Sequence, residues 1–413
     1  MTEPRRSPHA DKPRLRVLIG ADTFAPEING AVSFITRLGA GLAARGHDVH
    51  IAAPAYDNRK LGPQRETFEG QEVTVHRIYS WRWYPHPWLR FSLPWRIKQN
   101  SRKILDRVKP DVIHFQSHII IGRGMTIAGQ ERGIRIIGTN HVMPENLLDY
   151  AAILPPFTKA AAVRASWRAA DRSFQRAERV TTPTEKAAAY LEQHTSVRGV
   201  LAISCGIDTH NYIPNLVPVA ENRIVFVGRL APEKKIDELV RALAAIDPAL
   251  DARLEIVGGG DEEQHLRRLA RELGVADRVE FAGYVDDAYL KNALQRAKVF
   301  AIASIAELQS ISTLEAMASG LPVVAADAMA LPHLVHDGEN GYLFEPGDVT
   351  ELAERLTRIF TMPQEQLVAF KRESLRIVQN HDIERTLDTF ESLYRGESVD
   401  EGVGTPAKER FEG

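Results

Sequence analysis

Apolar residues along the chain fall into short, nearly continuous runs, separated by stretches in which they recur at helical spacing. Residues 15–21 (LRVLIGA) form the first run, the pattern of a strand buried on both faces. The loop 22–30 (DTFAPEING) follows, then a helical pattern over 31–45, and Gly46-His47 turns the chain into a second strand over 48–53. Strand, Gly-containing loop, helix and strand make a βαβ unit with a right-handed crossover. Further strands are predicted at 112–115, 135–139 and 179–182, so the first half reads as a parallel, doubly wound sheet. The scheme then repeats, with strands predicted at 223–228, 253–260, 279–285, 299–304 and 322–327 and a helix over 236–245. Residues 363–394 read as terminal helices able to pack back on the first domain.

Length supports the same division, because 413 residues exceed one ordinary core and suit two domains of roughly 200 residues. The expected organisation is a disordered N-terminus at 1–13, a first domain at 14–213 and a Pro-containing linker at 214–222. A second domain at 223–380, a returning C-terminal helix at 381–396 and a charged, disordered tail at 397–413 complete it. Net charge is −2, which argues against bulk nucleic-acid binding. The single cysteine, Cys205, excludes an intrachain disulfide and points to a reducing, cytoplasmic compartment. Residues 1–13 lack the apolar stretch of a signal peptide, and no run of 18 apolar residues predicts a membrane span.

Candidate chemistry concentrates in the second half. Arg229 and Lys234, in GRLAPEK (228–234), follow directly on a strand end. Two fixed cations there would stabilise a diphosphate leaving group as its charge develops, although an isolated Arg–Lys pair also reads as solvated loop charge. Glu307 and Glu315 stand eight residues apart in SIAELQSISTLEAMASGLPVV (304–324). Residues 309–312 would begin a helix, so the amides of Gln309, Ser310 and Ile311 could face an anion. One carboxylate can meet a sugar and the other can accept from two ribose hydroxyls, whereas Glu307 alone could be a charge favourable to the helix dipole.

Taken together, GRLAPEKK, VGGGDEE, FAGYV and the E-x7-E segment followed by EAMASGLPVVAAD resemble the retaining family-4 glycosyltransferases of the GT-B fold. The resemblance runs from Leu15 to about Tyr394. It implies an α/β architecture of two doubly wound, Rossmann-like domains facing a central cleft. It also implies roles for individual residues. Glu307 would contact the transferred sugar near its C3 hydroxyl, Glu315 would hold the ribose, and Arg229 and Lys234 would bind the diphosphate. Gly30, in the NGA of the first loop, would let the backbone approach that phosphate. His141, in GTNHVMPEN, matches the first-domain histidine that touches the donor sugar, as a polarising or positioning group rather than a general base. His118 is a second candidate near an adjacent strand end. No cofactor or metal is implied, the donor being a UDP- or GDP-sugar. Two positions depart from the family: Ala31 and Ser310 stand where many relatives have glycine. Leu308-Gln309 and the string 140–146 are similar to the diacylglycerol glycosyltransferase branch.

The acceptor side has its own signal. Four of the five tryptophans, Trp81, Trp83, Trp88 and Trp95, fall within fifteen residues, and segment 71–110 carries nine Lys/Arg against two Asp/Glu. A basic helix is predicted over 93–108, with Arg96 beside Trp95. Amphipathic rings and cations suit an anionic membrane surface, while a Trp-rich loop packed on its own domain, or a polyanionic acceptor, would use the same residues. The expected function is therefore a retaining α-hexosyltransferase acting on a lipid such as diacylglycerol or a glycolipid, associated peripherally with the inner face of the membrane. A soluble enzyme acting on a sugar- or inositol-phosphate, or a nucleotide-sugar-binding module without turnover, are the alternatives.

Overall fold

The computed structural model describes residues 9, 11–27, 29–82, 90–144, 156–217 and 219–399. The chain forms two compact units, Met1–Gly206 with Ile383–Gly413, and Ile207–Asp382. The first contains β1 (Arg16–Gly20), β2 (Asp48–Pro54), β3 (Gly62–Phe68), β4 (Gln71–Ile78), β5 (Ser80–Arg82), β6 (Arg90–Ser92), β7 (Val112–Phe115), β8 (Arg135–Thr139), β9 (Arg179–Thr182) and β10 (Leu201–Ala202). Eight of these make one sheet in the order β10-β9-β8-β7-β1-β2-β4-β3, parallel except for β3 against β4, while β5 and β6 form a short antiparallel ribbon. The expected strands of this half are present. The β3–β4 hairpin was not expected: β3 alternates half-buried and exposed residues, carries Pro63, and ends in a turn where Glu69 and Gly70 both have positive φ. That geometry is the twist-matched two-residue hairpin turn, reached without the usual Asn-Gly signal.

The second unit contains β11 (Arg223–Val227), β12 (Arg253–Val257), β13 (Val279–Gly283), β14 (Val299–Ile302), β15 (Val323–Ala326) and β16 (Gly341–Phe344). They form one parallel sheet in the order β13-β12-β11-β14-β15-β16. Its central strands are buried at nearly every position, as an apolar run covered by helices on both faces must be. Among the parallel strands of each sheet the order reverses once, at β1/β7 and at β11/β14, and ligands bind at the carboxyl ends of such reversals. The stretch 214–222, expected to link the domains, lies inside the second unit. Asn215 N donates to Ser319 O at 3.0 Å, Asn215 Nδ2 to Gln295 O at 2.8 Å, and the buried Lys371 Nζ to Asn215 O at 2.8 Å.

The helix Gly30–Ala44 starts at Asn29, whose side chain accepts from Val32 N, and buries Val32, Phe34, Ile35, Leu38 and Leu42 along one face. The terminal helix Ile383–Arg395 packs on it. Phe390, fully buried, stacks obliquely on Phe34 (5.7 Å) and His114 (4.9 Å), and Leu387 sits where a Cβ on Gly41 would lie 2.5 Å away. His114 Nδ1 lies 2.7 Å from Tyr394 Oη and its Nε2 2.7 Å from Thr139 Oγ1. Arg45 adds ion pairs to Glu384, Asp388 and Glu391. Within the ends expected to be disordered, Lys12 Nζ meets Glu397 Oε1 at 2.5 Å and His9 Nε2 lies 3.0 Å from Ser392 Oγ, while residues 1–8 and 400–413 lie outside the described residues.

Two outcomes follow from this packing. Phe390→Ala should lower the stability of the first unit by about 3–5 kcal/mol, measured by urea denaturation. Burial also holds the imidazoles of His114 down to about 3, and of His76, His118 and His141 to about 4, against an ordinary value of 6.5. The unfolded chain therefore binds protons first, so this contribution is complete above pH 6.5 and is lost as pH falls from there towards 4. Denaturation midpoints followed between pH 7 and 4 should decline, and less steeply in His114→Asn.

Candidate active site

In the second unit, the loop after β11 is held backbone to backbone. Gly228 N donates to Val257 O and Leu230 N to Gly259 O, both at 3.0 Å, and Glu262 N donates to Leu230 O at 3.2 Å. The approach is so close that a Cβ on Gly258 (φ +130°) would collide with the Gly228 carbonyl, and one on Gly260 with the Leu230 carbonyl. Arg229 is thus fixed between two anchored residues. Its Nη2 meets Glu233 Oε1 at 2.7 Å. The carbonyl of Glu233 accepts from Ile305 N (3.1 Å) and Ser304 Oγ (3.3 Å), which ties this loop to the one following β14. That tie brings Lys234 Nζ onto Glu307 Oε1 in a short charge-assisted contact. Lys234 and Glu307 therefore meet at the β11/β14 reversal, with Arg229 held by Glu233 on the same loop as Lys234.

The helix expected to begin within 309–312 is present. The helix Ile311–Ala318 starts at Ser310, whose hydroxyl accepts from Thr313 N (3.3 Å) and Thr313 Oγ1 (2.7 Å). Ser310 thus serves as the N-cap where many relatives have glycine, leaving the first-turn amides of Ile311 and Ser312 outside the helical ladder. Glu307, Gln309 and Glu315 are all buried, with Gln309 Nε2 3.5 Å from His381 Nδ1. Among the described residues, His336, Glu339 and Glu373 form a group that could converge on a metal ion. They lie on other segments, and Arg376 already holds both oxygens of Glu373.

In the first unit, Gly30 is the first residue of its helix, and Ala31 lies within that helix, so the Cβ at this position costs nothing. His141 follows β8. Its Nε2 lies 2.8 Å from Gln116 Oε1, and its ring stacks obliquely on Phe34 at 5.0 Å. His118 is 2% exposed and packs against Phe174, away from solvent. Trp83 and Trp88 lie outside the described residues, whereas Trp81 is 55% and Trp95 76% exposed. The helix Pro94–Val108 buries Ile97, Ser101, Leu105 and Val108, and exposes Arg96, Lys98, Arg102, Lys103 and Arg107. Glu131 partly neutralises that face by pairing with Lys98 and Arg102, both at 2.9 Å. Among the described residues, no helix is long and apolar enough to cross a membrane.

Comparison with known proteins accounts for both halves. Residues 28–211 match Glycosyltransferase Family 4 and residues 213–375 match Glycosyl transferases group 1. The chain is 30% identical to a GDP-mannose-dependent alpha-mannosyltransferase of Mycolicibacterium smegmatis, over 83% of this chain and 90% of that one. The chain is a family-4 glycosyltransferase of the GT-B fold. The glycosyltransferase is also 26% identical to the alpha-monoglucosyldiacylglycerol synthase of Acholeplasma laidlawii, over 85% of this chain and 89% of the other. Among solved structures, sucrose-phosphate synthase from Thermosynechococcus elongatus superposes with a TM-score of 0.77 at 22% identity, covering 92% and 99% of the two chains, which supports the shared fold.

Two residues that contact candidate site residues, Glu233 on Arg229 and Gln116 on His141, were not singled out from sequence. Glu233 lies inside the quoted motif but reads as loop charge, and Gln116 is an isolated residue with no spacing signature. Both cations already face carboxylates, Arg229 with Glu233 and Lys234 with Glu307, so a diphosphate taken up there would have to replace or share those partners. Lys234→Ala should therefore weaken UDP or GDP binding as well as turnover, which calorimetry on the purified protein would check. Unchanged nucleotide affinity would remove Lys234 from the diphosphate site.

Proposed function

We propose that this glycosyltransferase is a retaining enzyme that moves a hexose, glucose or mannose, from a UDP- or GDP-sugar to a lipid acceptor at a membrane surface. The observation that carries the donor half is the meeting of Lys234 with Glu307 at the β11/β14 reversal, with Arg229 fixed on the same loop as Lys234. Arg229 and Lys234 would take the charge that develops on the diphosphate as the glycosidic bond breaks, so the reading needs no metal ion and no cofactor. Glu307 would hold the sugar hydroxyls beside that charge, and Glu315 the ribose. Gly30 and the amides of Ser310, Ile311 and Ser312 would offer backbone donors to phosphate. The acceptor proton would pass to the departing phosphate on the same face, which leaves His141 to position the sugar.

The lipid half is supported by the exposed rings of Trp81 and Trp95 beside the cationic face of Pro94–Val108. Indole rings at the headgroup level and cations against lipid phosphate are the chemistry that such a surface uses. Likeness to an alpha-monoglucosyldiacylglycerol synthase supports an acceptor of the lipid class. Peripheral attachment to the cytoplasmic leaflet follows from this reading, as does the expectation that the patch meets anionic lipid rather than nucleic acid. The pairing of Lys98 and Arg102 with Glu131 lowers the net charge of the patch and favours the alternative of a soluble phosphorylated acceptor to that extent.

One experiment tests both halves. Nucleotide release should be measured with UDP-glucose and with GDP-mannose, with and without diacylglycerol vesicles containing anionic lipid. Release from one donor that depends on vesicles is the expected result. Slow release indifferent to vesicles would assign a soluble acceptor, and no release with intact nucleotide binding would favour a binding module. Glu307→Ala should lower kcat by a factor on the order of 10²–10⁴ with folding intact. Full turnover in that variant would defeat its assignment to the reacting sugar.

A further inference from the structure

Gln116 follows β7 at the point where the strand order of the first sheet reverses. Its backbone N donates to Gly20 O at 2.8 Å, which fixes it beside the end of β1. The side chain is 2% exposed. Its Oε1 lies 2.8 Å from His141 Nε2, and its Nε2 finds no hydrogen-bond partner among the described residues. A buried amide with a donor left unmade is destabilising, and leucine of similar size would avoid that penalty.

An amide oxygen only accepts, so the nitrogen facing it must carry the proton. Burial keeps this imidazole neutral near pH 7, with its ordinary titration pushed down to about 4. A neutral ring protonated on Nε2 has its lone pair on Nδ1. That nitrogen accepts hydrogen bonds, and so it can meet a hydroxyl but is repelled by a phosphate oxygen. Phe34, 5.0 Å from the ring, restricts its rotation on one side.

We propose that Gln116 is a positioning residue that locks His141 in the Nε2-protonated tautomer, so that Nδ1 accepts a hydrogen bond from a hydroxyl of the transferred sugar. The assignment rests on the reading of His141 as a sugar contact, and it extends that reading by fixing the direction of the hydrogen bond and the class of ligand group. A histidine free to exchange tautomers would present a donor or an acceptor indifferently. One held by Gln116 selects donors whose sugar carries a hydroxyl there, and discriminates against the matching deoxy sugar, since an unpaired group in a built site costs more than a lost contact in water.

The test combines imidazole 15N spectroscopy with kinetics on the full chain. In 15N-histidine-labelled protein, the His141 signals, assigned by their loss in His141→Asn, should report a protonated Nε2 and an unprotonated Nδ1. Gln116→Leu should give a mixture of tautomers and lower kcat/KM for nucleotide release from UDP-glucose or GDP-mannose by roughly tenfold, the scale of one hydrogen bond, with UDP or GDP affinity unchanged. Gln116→Glu, which keeps an acceptor oxygen in place, should retain the wild-type tautomer and serves if the leucine variant does not fold. A wild-type ring protonated on Nδ1, or a Gln116→Leu protein with unaltered tautomer and kcat/KM, would overturn the proposal. Failure of the underlying reading looks different: His141→Asn would then turn over at the wild-type rate even though the wild-type ring is locked.

Discussion

Lys234 and Glu307 are seventy-three residues apart in sequence and meet because β11 and β14 are neighbours where the strand order reverses. This adjacency is the constraint on which the proposed donor site depends. A parallel sheet delivers every strand end to the same edge, but only at a reversal do two loops diverge and leave a gap between them. The loop after β11 is then prevented from wandering by the glycines of the β12 loop, which permit backbone contact that any side chain would block. Rigidity of this kind suits a group that must stabilise developing charge, because a cation already in place pays no reorganisation when the bond breaks.

The candidate residues of the two units are held in different ways. In the second, the candidate cations face carboxylates in pairs, Arg229 with Glu233 and Lys234 with Glu307. Such pairs hold long side chains in position before the ligand arrives and offer it a cation that is already partly desolvated. In the first, the imidazoles of His114 and His141 are held neutral, and their order comes from directional bonds: His114 between Tyr394 and Thr139, His141 against Gln116. The terminal helix contributes directly to that arrangement, since Tyr394 and Phe390 both contact His114. A chain that leaves the first unit at Gly206 thus comes back to complete its core.

Much of this was legible in the sequence because buried parallel strands are apolar throughout and stand out from helical spacing. The strands around both reversals were expected, as were the helix that begins at Ile311 and the residues Arg229, Lys234 and Glu307. What escaped was polar or conditional on distant partners. The β3 edge strand has no apolar run, and its turn uses Glu69-Gly70. The stretch 214–222 has a linker's composition, yet Asn215 and the buried Lys371 fasten it to the second unit, a tie visible only once residues 156 positions apart are brought together. His118 carried the same local signal as His141, a histidine just beyond a strand, but packs inward on Phe174.

The contrast between those two histidines shows what separates a candidate site residue from a core one. Both are neutral because burial disfavours the imidazolium, so the shared downward shift does not discriminate between them. What differs is the surroundings. His118 is almost wholly enclosed and its Nδ1 has no partner among the described residues, a cost borne inside the core. His141 remains partly accessible, and the acceptor it faces determines which of its nitrogens is left for a ligand. An imidazole that stays neutral and points a lone pair outward cannot neutralise phosphate charge, but it can distinguish one hydroxyl arrangement from another. Electrostatic stabilisation at Arg229 and Lys234 and hydroxyl recognition at His141 would then be separate tasks, assigned to groups whose protonation states suit each.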